Sequence, residues 1–386
     1  MLQDKHILLG VSGGIAVYKA IELASLLTKA GAQVKTIMTE NAMEFVSPLS
    51  FKSITKQSVS YKLFDEDAPI EHISLADWAD IFIIAPATAN IIGKIANGIA
   101  DDLLSTSIMA GKAKKIIVPA MNINMYENPI VQKNITFLKT NGYLIMEPET
   151  GYLACGYIGK GRFPDPVEIL DFIKISSLTE MILQNKKVLI TAGASREKID
   201  PMRFISNRSS GKMGISLAKA ACVMGAEVKF IHAYIEDKIP YYIETVKAET
   251  ANEMYNAVMN IYADYDIIIM CAAVADYTIE NPASEKIKKA DNMSLSLVRT
   301  KDILFELGQI KHENQLLIGF AAESENIIEN GMSKLTKKNC TCIVANSLYT
   351  SGKHDTEQIL IFKDKQIAVK GSKLETACHI LKEISQ

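Results

Sequence analysis

The chain has 386 residues, 48% of them hydrophobic and 22% charged, with a formal net charge of −2. That length supports two or three domains with full hydrophobic cores, and the near-neutral balance gives no basic footprint for nucleic acid. No apolar run is long enough to span a bilayer, because Ile81–Ile92 is interrupted by Pro86, Thr88 and Asn90.

His6–Val11 is an apolar run that reads as a first strand, with no apolar signal core before it. It leads into Ser12-Gly13-Gly14 and then an amphipathic stretch, Ala16–Lys29. Val34–Met38, Ile81–Ala85, Lys115–Pro119 and Tyr143–Met146 follow as short buried strands separated by helix-length segments. Continuous apolar strands with helical crossovers imply a parallel sheet covered on both faces. Pro164-Asp165-Pro166 is a break, and Val167–Gln184 reads as a helix leading out.

At Lys186 the same order of signals restarts. Lys187–Thr191 is a strand ending in Ala192-Gly193-Ala194, and Met213–Met224 is a helix. Val228–Ala233, Ile267–Ala272, Leu316–Ala321 and Cys342–Ala345 supply further strands, and Gln358–Phe362 with Gln366–Val369 predicts a small antiparallel appendage. The expected fold class is α/β, with two doubly wound, Rossmann-like domains of mainly parallel sheet. The expected domains are residues 1–184 and 185–386.

Neither glycine-rich turn has the G-x-G-x-x-G spacing of a dinucleotide site. Gly211-Lys212 does not complete a P-loop, because Ser206 stands at the first glycine position and Met213 replaces the magnesium-binding Ser or Thr. The six cysteines, 155, 222, 271, 340, 342 and 378, show no C-x-x-C and no His-spaced pair. That pattern argues against a zinc site or a disulfide framework, and the expected location is a reducing cytoplasm.

Ligands of open parallel sheets bind outside the carboxyl ends of the strands. Ser12-Gly13-Gly14, Pro86–Asn90 and Pro119–Asn122 each follow a strand, so one crevice in the first half should take a phosphorylated planar ligand. Cys155 lies in a Gly-punctuated stretch, Leu153–Gly161, that reads as a flap; such a cysteine suits chemistry better than a core does. In the second half Arg203–Gly214 is a Ser/Gly-rich loop between strand and helix, which fits an oxyanion site. The chain has 37 lysines but five arginines, and Arg196, Arg203 and Arg208 crowd into that neighbourhood. On the residues alone Glu285–Lys289 reads as a solvated charge run, and Lys334, Lys337 and Lys338 as a basic helix end.

Gly10–Ala16, His72–Asp80, Pro86–Asn90, Ala100–Thr106, Pro119–Met125 and Ala154-Cys155-Gly156 resemble the motifs of homo-oligomeric flavin-containing cysteine decarboxylases. The second half resembles phosphopantothenate–cysteine ligase, and the whole chain is similar to the bacterial bifunctional family of coenzyme A biosynthesis that fuses the two. The resemblance implies a flavodoxin-like flavoprotein domain that binds FMN through Ser12, Gly13, Gly14, Thr39, Thr88, Asn90 and Ala120. It implies His72 as active-site base, Asn122 as holder of the substrate carboxylate and Cys155 as proton donor. Oxidation of the cysteinyl thiol to a thioaldehyde then supplies the electron sink that decarboxylation needs.

In the second domain the resemblance implies CTP as co-substrate, forming an acyl-cytidylate that cysteine attacks. Asn207 is implied at the acyl-cytidylate and Lys286 in the activation step. Ala272, Ala273, Asp276, Lys301, Asp302, Ile303, Leu304, Phe320, Lys334 and Lys338 are implied at the nucleotide, with Asp276 as a magnesium position. Met125, Arg203 and Arg208 join Asn122 and Asn207 as substrate residues. Thr300-Lys301 stands where the family usually has Asn-Pro, Phe163 where it has Met, and Lys198 where it often has Pro. The implied partners are 4′-phosphopantothenate, cysteine and CTP, in a homo-oligomer built from trimers, a trimer or a dodecamer, without nucleic acid or membrane. A peptide cysteine decarboxylase and a non-catalytic flavin-binding regulator are the competing functions. Asn207 and Lys286 argue against the first, and His72 with Cys155 against the second.

Overall fold

The computed structural model describes residues 1–64, 70–153, 156–289, 291–323, 325–347 and 355–385. They form two compact units, Met1–Ser177 and Leu178–Gln386.

The first unit is built on six strands: β1 (His6–Val11), β2 (Gln33–Met38), β3 (Val59–Ser60), β4 (Ile81–Ala87), β5 (Lys114–Pro119) and β6 (Leu144–Ile145). They pair in parallel in the order β3-β2-β1-β4-β5-β6. Leaving aside the two-residue edge strand β3, the order is second, first, third, fourth, fifth, which is flavodoxin-like and reverses direction between β1 and β4. Every residue of β4 is buried, as a strand covered on both faces requires. The helix Val17–Lys29 buries Val17, Ala20, Leu23, Ala24 and Leu27, the stripe that a 3.6-residue period places on one face. An antiparallel hairpin, β7 (Glu149–Tyr152) and β8 (Ile158–Arg162), stands outside the sheet. The segment that read as a flap carries strand β8 of this hairpin, and Cys155 lies outside the described residues.

The expected helix Val167–Gln184 is shorter, running from Pro166 to Leu178. Met181, Ile182 and Leu183 are consecutive apolar residues without helical spacing, and Leu183 is buried with its N–H on the carbonyl of Met224.

The second unit has β9 (Lys187–Ala192), β10 (Arg196–Lys198), β11 (Phe204–Ser206), β12 (Glu227–His232), β13 (Glu244–Lys247), β14 (Ile267–Met270), β15 (Tyr277–Ile279), β16 (Leu297–Arg299), β17 (Leu316–Glu323), β18 (Cys342–Ser347), β19 (Asp355–Ile361) and β20 (Gln366–Ser372). The main sheet runs β13-β12-β9-β14-β17-β18-β19-β20, parallel up to β18 and antiparallel beyond it. Its six parallel strands have the Rossmann order. The antiparallel strands that read as an appendage extend the edge of this same sheet, with Ile343 opposite Ile361. Two small hairpins, β10–β11 and β15–β16, stand apart from it.

Cys222, Cys271, Cys340, Cys342 and Cys378 are free. Burial pushes the thiols of Cys222 and Cys271 up to about 12, which makes them inert packing groups. No described helix is long and apolar enough to cross a membrane.

Candidate active sites

The carboxyl ends of the first unit's strands enclose a cavity of about 1230 Å³. Ser12, Gly13, Gly14, Thr39, Thr88, Asn90, Ala120, Asn122 and Met125 all line it, so nine residues chosen from sequence converge on one space. Their placement has local causes. Ser12 Oγ donates to the carbonyl of Pro86 at 2.8 Å and accepts from Thr88 N at 3.0 Å, which ties the end of β1 to the end of β4. Thr88 caps the helix Ala89–Ala96 and Thr39 caps Glu40–Met43. Ala120 N–H donates to Ala87 O at 3.0 Å, bringing the β5 loop alongside. A side chain on Gly13 would collide with Asn41, so only glycine lets the backbone lie there.

Asn122 caps the short helix Ile123–Tyr126, accepting from Asn124 N at 2.8 Å. The hairpin β7–β8 docks on this loop: Met121 N–H donates to Gly161 O at 3.0 Å, and Gly159 leaves room for the Ile123 side chain. Tyr152 and Leu153, on the arm leading to the tip, line the cavity. Lys94, Asp101 and Asp102 also line it; Lys94 holds both carboxylates at 2.6 Å, and Asp102 caps the helix Leu103–Ala110. Asp101 and Asp102 belong to the Ala100–Thr106 motif, and that adjacent acidic pair is the only sequence signal of the cluster with Lys94.

His72 lies elsewhere. It is half-buried on the helix Glu71–Trp78, does not line the cavity, and its Nδ1 is buried with no hydrogen-bond partner among the described residues.

Glu147 fastens the hairpin to the body, bonding Lys139 at 2.6 Å, Lys160 at 2.9 Å and the Tyr126 hydroxyl. Burial alone would raise its carboxyl, but the lysines and Tyr126 outweigh burial and hold it at about 2. A carboxyl depressed below its ordinary 4.5 adds stability above that pH and loses it as the pH falls towards 2. Thermal unfolding of Glu147→Gln should therefore lie below wild type at pH 7, with the gap closing between about pH 5 and pH 2. A gap independent of pH would contradict this.

In the second unit the first βα turn is a split glycine motif. Gly193, in the left-handed region at φ +84°, ends β9; Gly211, at φ +75°, caps the helix Lys212–Val223; Gly214 packs that helix on Ala192. Gly211 and Gly193 approach so closely that a Cβ on Gly211 would lie 3.4 Å from Gly193 Cα. These are the three tasks of G-x-G-x-x-G, with the β10–β11 hairpin inserted between the first two glycines. The inserted hairpin separates Gly193 from Gly211 in sequence, and folding brings the two together.

Asn207 Nδ2 donates to the carbonyls of Ala273 at 3.2 Å and Val274 at 3.3 Å, placing it on the loop after β14. Thr300 N–H donates to Asp276 O, and Thr300 Oγ1 to Ala275 O at 2.6 Å, which brings the next loop to the same turn. Thr300 thus supplies anchoring contacts at the position where the family usually has Asn. Lys338 pairs with Asp302 at 2.9 Å and Lys334 Nζ reaches Phe320 O at 3.5 Å. Burial and then Lys338 push the Lys334 ammonium down, against the pull of Glu323, Asp302 and Asp276. Phe320, Lys334, Lys338, Asp302 and Asp276 thus share one electrostatic neighbourhood.

Other expected residues are deployed differently. Arg203, expected at the substrate, spends its fork on Asp200, at 2.9 and 2.5 Å, and on Ile287 O at 3.1 Å. Asp200 also accepts from the N–H groups of Met202, Arg203 and Ile287, and Arg203 holds its carboxyl far below the usual range. This pair pins the backbone at Ile287, beside Lys286, which is exposed. Ile303 and Leu304 are buried in the core, so what they can present to a nucleotide is main chain. Lys301 lies over the ring of Tyr255 at 4.0 Å. Arg208 is exposed with no partner among the described residues. Those residues include no cluster of three metal-ligating side chains.

Residues 1–177 match the family model described as Flavoprotein, and residues 183–386 match that of the DNA/pantothenate metabolism flavoprotein C-terminal domain. The coenzyme A biosynthesis bifunctional protein CoaBC of Bacillus subtilis is 47% identical over 398 residues, which cover 100% of this chain and 98% of that protein. The chain belongs to this bifunctional family. The relatives of the same name from Haemophilus influenzae and Borreliella burgdorferi are 40% and 42% identical, each aligned over 99% of this chain and 98% and 99% of their own. Membership makes the chain a bifunctional enzyme of coenzyme A biosynthesis with a flavin-binding first unit. The cavity fits that group: hydroxyls and a helix N-terminus at one end suit a phosphate, and amides and small residues suit a heterocycle.

Proposed function

We propose that residues 185–386 condense 4′-phosphopantothenate with cysteine at the expense of CTP, and that residues 1–184 decarboxylate the product to 4′-phosphopantetheine with FMN. The observation that carries this reading is the convergence of Ser12, Gly13, Thr88, Asn90, Ala120 and Asn122 on one large cavity, in a chain whose second unit gathers Asn207 and the loop after β14.

Bound FMN supplies a reversible two-electron oxidant for the cysteinyl thiol. Ser12, Gly13, Gly14, Thr39, Thr88, Asn90 and Ala120 would hold FMN, their hydroxyls and small residues suiting a phosphate and their amide a heterocycle. Asn122 holds the substrate carboxylate, with Met125 beside it, and Cys155 protonates the product carbon. His72 serves as base, and since it does not line the cavity of its own unit, it acts on a neighbouring subunit's site in a trimer-based oligomer.

In the ligase half the carboxylate of 4′-phosphopantothenate attacks the α-phosphorus of CTP and pyrophosphate leaves. Lys286 stabilises the charge that develops there, with Arg208 close to the substrate. Asn207, its amide N–H₂ engaged by two carbonyls, presents its oxygen to the acyl-cytidylate. Lys334 and Lys338 neutralise the triphosphate, and the turn Ala272–Asp276 with Phe320 receives the base. Asp276 serves as a magnesium position; Mg²⁺ needs one or two carboxylates when phosphate oxygens and water complete its shell. The free thiols fit a cytoplasmic setting.

The test is the purified full chain. It should show a visible flavin absorption band and, supplied with 4′-phosphopantothenate, release CO₂ from the cysteine carboxyl only when cysteine and CTP are both present. A folded protein that stays colourless when supplied with FMN overturns the first half of the reading, and CO₂ release without CTP overturns the second.

A further inference from the structure

A groove of about 350 Å³ in the second unit is used by none of the residues assigned above. Arg196, His232, Tyr234, Asp237, Lys247 and Glu249 line it. The Arg196 guanidinium is held between two rings, 3.6 Å from the Tyr234 centroid and 4.4 Å from that of Phe204. Its Nε is buried with no acceptor, and its side chain makes no hydrogen bond or ion pair with the described residues. A rigidly oriented fork with unused donors at a groove is costly unless an anion completes it. Two carboxylates share the walls: Glu249 meets Lys198 at 3.9 Å and Asp237 meets Lys212 at 3.9 Å, both loose pairs. The walls thus carry both signs, Arg196 and Lys247 against Asp237 and Glu249, which a small zwitterion satisfies together, and the volume lies at the lower end for small-molecule sites.

The groove borders the acyl-transfer site. Ala194 bridges Tyr234 on one side and Ala273 on the other. Ser195 N–H donates to Ala273 O, the carbonyl that also accepts from Asn207, and Arg196 N–H donates to Glu249 O at 2.8 Å.

We propose that this groove is the amino-acid subsite of the ligase reaction, with the α-carboxylate of cysteine on Arg196 and its ammonium towards Glu249. The inference rests on the ligase reading. The ammonium loses one proton to water, and the amine nitrogen bonds to the acyl carbon. The bond from that carbon to the cytidylate oxygen breaks, cytidylate leaves with the electron pair, and the second proton goes to water as the amide forms.

The test compares cysteine with cysteamine, which lacks the carboxylate, as amine acceptors for the full-length enzyme charged with CTP and 4′-phosphopantothenate. Wild type should prefer cysteine in kcat/KM by about 100-fold or more, because an analogue leaves the Arg196 donors unpaired. Arg196→Gln should raise the KM for cysteine at least tenfold and reduce the preference to a few-fold. Pyrophosphate release without any amine should stay at the wild-type rate. The preference ratio is independent of the fraction of folded enzyme, so a poorly folding variant still reports. An unchanged ratio overturns the subsite. If wild type releases no pyrophosphate from CTP and 4′-phosphopantothenate, the ligase reading itself fails; if it does and the ratio is unmoved, only the subsite fails.

Discussion

Replacement of Lys286 by Gln should reduce pyrophosphate release from CTP and 4′-phosphopantothenate, measured without cysteine, by several hundred-fold. Loss of one preorganised contact to developing charge costs ~3–4 kcal/mol. Lys286 belongs to a run of charges, Glu285–Lys289, that could equally be a solvated face. Ile287 is held at both backbone groups, its N–H on Asp200 at 3.2 Å and its carbonyl on Arg203, so Lys286 sits next to a fixed point of the chain. Lys289 lies two residues past that anchor. Lys289→Gln should therefore lose little, and flavin absorbance and decarboxylation should be untouched in both variants. Wild-type pyrophosphate release from both would make the run a solvated face, leaving Lys212, Lys334 or Lys338 to carry the charge.

Gly161→Ala should lower decarboxylation by about 100-fold, the scale set by an ångström of misplacement at a reacting group, and leave pyrophosphate release at the wild-type rate. Gly161 has φ +147°, a region closed to side chains, and an added Cβ would strike the carbonyl of Met121. That carbonyl is backbone, so relief requires the hairpin β7–β8 to move off the loop that carries Asn122. The Met121–Gly161 hydrogen bond would stretch, and the arm with Tyr152 and Leu153 would leave the cavity. Measuring both half-reactions on one preparation separates this from general unfolding, since the two units each have their own core. Decarboxylation at the wild-type rate would show that the hairpin's seat does not position the chemistry.

Most of the fold was legible because its principal strands are buried on both faces. Such strands must be written as short apolar runs, and Ile81–Ala87 or Ile267–Met270 cannot easily be anything else. The cavity residues were legible for a related reason: hydroxyls and glycines directly after apolar runs mark strand ends, where a doubly wound sheet binds ligands. The short hairpins were not legible, since strands of three to five residues at β10–β11, β15–β16 and β7–β8 carry too little period to register.

By itself, then, the amino-acid sequence determined two α/β units, their strand order of appearance and the family's motif positions, because burial periodicity and turn chemistry are local properties of the chain. Only the tertiary structure decided that Arg203 serves Asp200 and Ile287, that Ile303 and Leu304 face the core, that Gly193 and Gly211 rejoin across an inserted hairpin, and that Arg196 stands between two rings beside an open groove. Each of these depends on contacts that the local pattern does not specify: Arg203 and Ile287 are 84 residues apart, and no local signal records which distant group a side chain will meet.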